Sequence, residues 1–350
     1  MIPKGALWVR MPRFIGDAMM IAQSLEPLRS RGTPLVAWGP GPVMDLFEGS
    51  SYFQGVCADE TGKRGAFHQA GLLRQHQASG VLNFGRSQRG LLAAWLARVP
   101  LRLGWREGGG WLLATHSLAF RAPGHQIDRY RALLGMGFPG LVQESSAPFH
   151  PREDARLRAA GWLDSLGIRG QHAVIAFGAA ADIKRVGAGV WAGLAPQLEA
   201  RGLAVLFLGG PLDRDLRQAD ELRGLLPRAR ILCGETGLAV GAALLEGADI
   251  CFANDSAMAH LAAACHRPTV VIFGPTDPLR TRPQGPGVAA ARNESLDCLA
   301  CGSFNCRRGD HACMQAVDPG HLLQRAAEVL PKGWPTHPEP ASHPRAEGQS

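Results

Sequence analysis

The stretch ICFANDSAMAHLAAACHRPTVVIFGPTDP, residues 250–278, carries most of the information about the fold. Two short and continuously apolar runs, 250–253 and 269–273, flank a segment that opens as a helix after Asn254. Strands that are apolar along their whole length and alternate with helices are typical of a parallel sheet covered on both faces. The stretch therefore predicts an α/β fold with a doubly wound sheet.

The same alternation extends outward from this stretch. Further apolar runs occupy residues 173–177 and 204–208, and between them apolar residues recur at helical spacing at Val190, Trp191, Leu194 and Leu198. The N-terminal half repeats the scheme more weakly, with candidate strands at 6–9, 35–38, 81–84 and 101–105. Two Rossmann-like units are the simplest architecture, so we expect domains at residues 1–150 and 151–330, joined by a loop within 141–155.

Length and composition agree with this division. A chain of 350 residues, 46% of them apolar, exceeds what one hydrophobic core usually spans. No apolar run reaches the roughly 18 residues that a membrane-spanning helix needs, and the first ten residues do not resemble a signal peptide. We therefore expect a cytoplasmic protein. Residues 331–350, rich in Pro, His, Ser and Glu, are expected to be a disordered tail.

The basic excess lies entirely in the N-terminal half. Residues 1–150 hold 16 Lys+Arg and 9 Asp+Glu, whereas residues 151–350 hold 21 of each, and the formal net charge is +7. Such asymmetry favours an anionic partner for the N-terminal half, and an arginine-rich solvated surface is the alternative. No dense basic run or nucleic-acid motif is present, so we expect no nucleic-acid partner.

Three segments have the residue types of a ligand site, each at the expected end of a strand. In the first, GAAADIKR at 178–185, small residues permit close approach of a ligand and Lys184 adds a charge suited to a diphosphate, although an ordinary turn would look similar. The second begins with Asp255 and Ser256, which could simply cap a helix. Capping does not explain His260, although a histidine satisfied within its own helix is the simpler interpretation of that residue taken alone. The third places Gly16 and Asp17 at a helix start, where Asp17 could also be a cap.

In this order and at these separations, the three segments resemble the ADP-heptose:lipopolysaccharide heptosyltransferase family. Residues 254–278 carry the most specific match. Shorter matches are the helix that follows Ser87, the segment 98–105, and a cysteine-bearing loop at 298–314 that resembles the heptosyltransferase II branch. The resemblance extends over residues 5–330.

The resemblance implies a GT-B fold and an inverting, metal-independent glycosyltransferase that needs no cofactor. It implies an ADP-activated heptose donor in the C-terminal domain and a phosphorylated lipopolysaccharide core acceptor in the N-terminal domain, with peripheral contact at the inner face of the cytoplasmic membrane. Asp17 takes the place of the catalytic base, and Gly16 and Ser87 take cleft positions. The donor-binding positions fall on Lys184, Asp255, Ser256, Ala257 and His260.

The chain departs from the family pattern around the donor positions. Ala257 stands where glycine is usual, residues 179–181 are alanines, and residues 186–187 replace a Trp-Pro pair. Two alternatives therefore stay open, namely another nucleotide-activated sugar and a catalytically silent homologue that binds a nucleotide sugar.

Four cysteines lie within sixteen residues, at Cys298, Cys301, Cys306 and Cys313. Such a group could hold zinc, but the spacing is not that of a common zinc finger. Reduced thiols, or an occasional disulfide, are the favoured interpretation for a cytoplasmic protein.

Overall fold

The computed structural model describes residues 2–59, 65–120, 124–142, 145–330 and 333–334. Within these ranges the chain forms two six-stranded parallel sheets, each covered by helices. None of the helices in these ranges is long and apolar enough to cross a bilayer. Apart from residues 333 and 334, the predicted tail lies outside the described residues.

The first sheet has the strand order β3-β2-β1-β4-β5-β6. Its strands are β1 (Leu7–Arg10), β2 (Leu35–Gly39), β3 (Gly55–Ala58), β4 (Gly80–Asn83), β5 (Leu101–Trp105) and β6 (His116–Leu118). The helices that accompany it are α1 (Ile15–Ser24), α2 (Glu26–Arg29), α3 (Gly41–Phe47), α4 (Ala66–Gln75), α5 (Arg89–Leu96), α6 (Gly110–Leu113) and α7 (Gln126–Gly137).

The second sheet repeats this order as β12-β11-β10-β7-β8-β9. Its strands are β7 (His172–Ala176), β8 (Ala204–Gly209), β9 (Arg230–Cys233), β10 (Ile250–Asn254), β11 (Thr269–Ile272) and β12 (Val288–Ala291). The helices are α8 (Glu153–Ser165), α9 (Ala188–Glu199), α10 (Asp213–Leu225), α11 (Leu238–Gly247), α12 (Ala257–Ala264), α13 (Pro278–Thr281), α14 (Ala312–Gln315) and α15 (Pro319–Val329).

The central strands are buried on both faces, which explains their continuous apolar sequences. In β1, Leu7 and Val9 join the core beneath α1, whereas Trp8 packs on the opposite face. There it meets Trp38 edge to face, with ring centroids 6.0 Å apart. The predicted parallel, doubly wound α/β fold is thus confirmed, and every strand predicted from the sequence is present within one residue of its expected bounds.

The sequence analysis missed four strands, and these are the four edge strands of the two sheets, β3, β6, β9 and β12. An edge strand forms hydrogen bonds with only one neighbouring strand, and it is often short or partly exposed. The three-residue β6 and the partly exposed β3 have both properties. The sequence of β6, HSL, has no apolar run, whereas β9 and β12, RILC and VAAA, contain short apolar runs that the sequence analysis did not recognise as strands.

The two sheets share a packed boundary. Helix α1 packs against α12 and α3 against α11, and one continuous cluster of buried apolar residues includes members from both sides. The connection between α7 and α8 covers residues 138–152, where Phe149 is buried and its amide donates to the Ala264 carbonyl at 2.8 Å. We propose a domain division at residues 150 and 151, because each sheet takes its strands from one side of that point.

Candidate active site

The strand order of the two sheets indicates where a ligand would bind. In both sheets the first and fourth strands are neighbours, and the connections from them run in opposite directions. Ligands of doubly wound folds bind beyond the carboxyl ends of such strands. The segments predicted from the sequence follow three of these four strands, namely β1, β7 and β10. Packing of α1 against α12 brings the segments after β1 and β10 together, and the contact between Lys184 and Asp255 joins the segment after β7 to them.

Asp17 is the third residue of α1, not its cap. The N-cap residue is Phe14, so the alternative interpretation of Asp17 as an N-cap is wrong. The Tyr130 hydroxyl donates a hydrogen bond to Asp17 Oδ1 at 2.8 Å. Partial burial raises the pKa of Asp17, while this hydrogen bond and the charge of Lys184 counteract the shift. The carboxylate is therefore held in one orientation by a neighbour 113 residues away.

Lys184 and Asp255 form an ion pair. A short 3₁₀ turn, Asp182–Lys184, follows β7 and places Lys184 Nζ 2.7 Å from Asp255 Oδ2. The Thr276 hydroxyl donates to the same oxygen at 2.7 Å. Asp255 is buried, whereas about a quarter of the Lys184 side chain, 26%, remains exposed. Asp255 thus anchors a lysine whose ammonium group still reaches the cavity.

The N-terminus of α12 presents polar groups that lack partners. Ser256 is the N-cap residue, but its side chain makes no capping hydrogen bond. Among the described residues, no partner is found for Ser256 Oγ or His260 Nδ1, both of which are buried. Burial lowers the pKa of His260 to about 4, so the ring is neutral near pH 7. Buried polar groups without partners call for an explanation, and a bound ligand supplies one.

Gly16 allows α1 to approach α12 closely. A Cβ atom on Gly16 would lie 2.9 Å from His260 Cδ2 and 3.1 Å from His260 Nε2, closer than side chains normally pack. The absence of a side chain on Gly16 therefore lets the His260 ring rest against the first turn of α1. This contact places Asp17 beside the N-terminus of α12.

Two cavities meet at Asp17. One, of about 450 Å³, is lined by Gly16, Lys184, Asp255, Ser256, Ala257 and His260, among others. The second, of about 520 Å³, lies in the N-terminal half and includes Arg10, Arg13, Arg86, Ser87 and Tyr130 in its wall. Phe14 and Asp17 line both cavities. All eight residues singled out from the sequence thus border one or the other, and Asp17 stands at their junction.

The helix N-terminus beside Lys184 is that of α12 rather than that of the next helix in sequence. Helix α9 begins at Ala188, and its first turn lines a separate cavity of about 1000 Å³ together with Arg185 and Arg214. Asp17 does not border this larger cavity. An anion held by Lys184 would consequently meet the amides of α12, which follow β10.

The structure supports a different role for the cysteine loop, residues 298–314, from the zinc site that its sequence allowed. The cysteines at 298, 301, 306 and 313 are free thiols, and the described residues contain no group of three or more His, Cys, Asp or Glu arranged to hold a metal. The same loop instead places Gly302, Ser303 and Phe304 at the mouth of the 450 Å³ cavity.

Sequence reasoning missed Tyr130 and the individual arginines of the 520 Å³ cavity. Tyr130 lies on α7, far along the chain from Asp17, and no local pattern connects the two. The arginines were represented only by the basic excess of residues 1–150. Arg10 is held by Asp59 at 2.8 Å, whereas Arg13 and Arg86 are exposed.

Two facing Rossmann-like sheets, with a cavity at the central strand ends of each and a carboxylate between them, define a protein of the GT-B glycosyltransferase class. A model of glycosyltransferase family 9 (heptosyltransferase) matches residues 72–311. The chain therefore belongs to this family.

Individual relatives agree with this assignment. Lipooligosaccharide heptosyltransferase 2 of Haemophilus influenzae is 29% identical over 41% of this chain and 42% of its own length. Lipopolysaccharide heptosyltransferase 2 of Escherichia coli is 25% identical over 91% of this chain and 97% of its own. The solved structure of E. coli ADP-heptose lipopolysaccharide heptosyltransferase II shares the fold, with a TM-score of 0.74 and 22% identity over 93% of this chain and 98% of its own.

Proposed function

We propose that the protein transfers heptose, with inversion and without a metal ion, from ADP-heptose to a phosphorylated lipopolysaccharide inner-core acceptor. The observation that carries this proposal is the position of Asp17 at the junction of two cavities with different chemistry. The donor assignment is supported by the solved relative, which is named for ADP-heptose. The acceptor assignment is supported by the lipopolysaccharide heptosyltransferases among the relatives.

The donor would occupy the 450 Å³ cavity. Lys184 and the free amides of α12 would hold its diphosphate, and the Ser256 hydroxyl would gain the partner that it lacks. As the bond between the anomeric carbon and the diphosphate oxygen breaks, ADP leaves with the electron pair. The Lys184 ammonium and the helix amides would stabilise this developing charge, a role that a divalent metal has in other transferases.

The acceptor would occupy the 520 Å³ cavity. The guanidinium groups of Arg13 and Arg86 suit the phosphate groups of an inner-core acceptor. Asp17 would accept the proton of the attacking hydroxyl while its oxygen forms the new bond to the anomeric carbon. Attack from the side opposite the leaving ADP inverts the configuration. Tyr130 would orient the carboxylate through its hydrogen bond to Oδ1.

Asp17→Asn tests the assignment of the general base. The amide cannot take up the proton, so turnover should fall about 100- to 10,000-fold, while donor affinity and melting temperature change little. Asp128→Asn is a matched control, because Asp128 is also the third residue of its helix, α7, but is exposed and pairs with Arg131. Turnover of Asp17→Asn near that of the control variant, with ADP-heptose and a heptose-deficient core acceptor, would contradict the proposal.

Another nucleotide-activated sugar is the second candidate. Of the alanines that depart from the family pattern, Ala180, Ala181 and Ala257 line the donor cavity, whereas Ala179 does not. The methyl group of Ala257 narrows the cavity at the N-terminus of α12. A panel of nucleotide sugars, compared by calorimetry, distinguishes the candidates, since tighter binding of a hexose donor than of ADP-heptose would favour the second. A silent homologue is disfavoured by the hydrogen-bonded Asp17 and the Lys184–Asp255 pair.

The proposed acceptor is part of a lipopolysaccharide, and its lipid portion determines where in the cell the protein would act. We propose that the protein works in the cytoplasm, at the inner face of the cytoplasmic membrane. Cell fractionation tests this point, because recovery of the protein entirely outside the cytoplasmic and membrane fractions would exclude it.

A further inference from the structure

His125 is the N-cap residue of α7, and its ring contacts both halves of the protein. Its Nδ1 accepts a hydrogen bond from the Ile127 amide at 3.2 Å, and its Nε2 lies 2.9 Å from the carbonyl oxygen of Arg282 in the C-terminal half. Since Nδ1 accepts, the proton of the neutral ring is on Nε2, which donates to Arg282. Burial lowers the pKa of His125 and so favours this neutral form. One ring therefore caps a helix and bonds it to the other half of the chain.

A second hydrogen bond reaches the same part of the C-terminal half from α1. Gln23 is buried, and its Nε2 donates to the Gln284 carbonyl at 2.8 Å. The Gln284 side chain in turn donates to the Arg282 carbonyl at 3.2 Å. We call residues 282–284 the bridging segment. The two helices that carry the proposed base and its hydroxyl partner, α1 and α7, are thus both bonded to the bridging segment.

The bridging segment is fixed beside the 450 Å³ cavity. It directly follows Thr281, which lines that cavity. Pro283 is buried. A Cβ on Gly285 would collide with the Ala263 carbonyl, so the chain lies directly against α12, whose N-terminus borders the same cavity. The bridging segment therefore belongs to the rigid wall of this cavity.

Asp17 and Tyr130 are fixed in the N-terminal half instead. The Tyr130 ring is buried and packs edge to face against Phe84 of that half, with ring centroids 5.7 Å apart. The position of the Asp17 carboxylate relative to the 450 Å³ cavity consequently depends on the contacts between the halves. The contact of Gly16 with His260 is one of these, and it depends on shape alone. The bond from His125 adds a direction, because a hydrogen bond weakens steeply when its donor turns away.

We propose that His125 is a positioning residue, whose Nε2–H bond to the Arg282 carbonyl sets the place of the Asp17 carboxylate relative to the 450 Å³ cavity. His125 lines neither this cavity nor the 520 Å³ cavity, so it acts through α7 and the bridging segment. A small misplacement of a reacting group lowers turnover without a loss of binding. The inference deepens the proposed function and rests on it where turnover is concerned.

Two substitutions separate the two bonds of the His125 ring. In His125→Asn the side-chain amide reaches about as far as Nδ1, so the helix cap is kept and the bond to Arg282 is lost. In His125→Gln the amide nitrogen reaches about as far as Nε2, so the donor to Arg282 is kept and the cap is lost. Thermal unfolding verifies that both variants fold.

Turnover with ADP-heptose and a heptose-deficient core acceptor measures the catalytic effect. His125→Asn should lower kcat about three- to tenfold and leave the KM for the donor nearly unchanged, whereas His125→Gln should keep most of the wild-type kcat. A role in capping alone predicts the reverse order of the two variants. The reverse order, or a wild-type kcat in His125→Asn, would overturn the inference.

Amide hydrogen exchange in the absence of ligands gives a readout that is independent of sugar transfer. In His125→Asn, the amides of α13 and the bridging segment should exchange at least about threefold faster than in the wild-type chain, whereas His125→Gln should leave them unchanged. His116→Asn is the control, because His116 is exposed on β6 and its Nδ1 lies 3.0 Å from the hydroxyl of the neighbouring Thr115.

The two measurements distinguish failure of the inference from failure of the proposed function. A wild-type chain that transfers no heptose would contradict the proposed function, and exchange would then decide whether His125 joins the two halves. Equal exchange in His125→Asn and the control variant would overturn the inference whether or not the wild-type chain is active.

Discussion

Replacing Gly16 by alanine tests how tightly the two domains are joined beside Asp17. The added Cβ would lie 2.9 Å from His260 Cδ2, about half an ångström inside the 3.4 Å at which ordinary van der Waals contact begins. The ring cannot swing aside easily, because His260 is only 6% exposed and is enclosed by α12 and the cavity wall. Overpacking of this kind typically lowers the free energy of unfolding by about 1–3 kcal/mol. We therefore expect Gly16→Ala to be destabilising although alanine favours helices.

Urea unfolding measures this cost, and two further variants assign its cause. Gly189 is the second residue of α9, as Gly16 is of α1, but a Cβ on Gly189 meets no atom within 4 Å. Gly189→Ala should consequently be neutral or stabilising. The His260→Ala variant lacks the ring that the new Cβ would meet. In that variant, Gly16→Ala should therefore lower the free energy of unfolding much less than it does in the wild-type chain. An equal cost in both backgrounds would refute the contact as its origin.

The same substitution should affect catalysis under the proposed function. A shift of α1 away from α12 moves Asp17 relative to the donor cavity, and misplacement by a fraction of an ångström lowers turnover. We expect a loss of about tenfold in turnover at saturating donor. Unchanged turnover in a destabilised Gly16→Ala variant would show that the contact is structural only.

Three other perturbations follow from the site. Lys184→Ala should weaken binding of the nucleotide-sugar donor by about 1.5–3 kcal/mol, measured by calorimetry, because a charge-assisted hydrogen bond is lost; unchanged affinity would remove Lys184 from the donor site. Tyr130→Phe removes a hydrogen bond that lowers the pKa of Asp17, so the acidic limb of the pH–rate profile should move to higher pH, whereas an unmoved limb would count against Asp17 as the base. The buried His260, with its pKa lowered to about 4 by burial, favours the neutral form in the folded state. Its contribution to the free energy of unfolding should be fully present above about pH 6.5 and should decline as the pH falls towards 4. In His260→Asn, the free energy of unfolding measured at several pH values should therefore depend less on pH.

The fold could be predicted because the decisive information is local. Continuous apolar runs identify strands that are buried on both faces, and helical spacing between them identifies the crossovers. The missing strands are the short edge strands, of which β3 and β6 are also partly exposed. The convergence of Gly16, Lys184 and Asp255 on one cavity also followed from local information, because the carboxyl ends of central strands face the ligand in doubly wound sheets.

The contacts that give these residues their properties are not local. Lys184 and Asp255 are separated by 71 residues and Asp17 and Tyr130 by 113, so no window of sequence reveals that each pair is bonded. For Asp17 this difference excludes the N-cap, one of the two interpretations that the sequence left open, and its role as the base remains a proposal. A cap would lie outside the helix and bond to backbone amides, whereas Asp17 lies within the first turn of α1 and its Oδ1 receives the Tyr130 hydroxyl. Helix capping therefore does not account for a carboxylate at this position, and the two cavities that meet there support its proposed role as the general base.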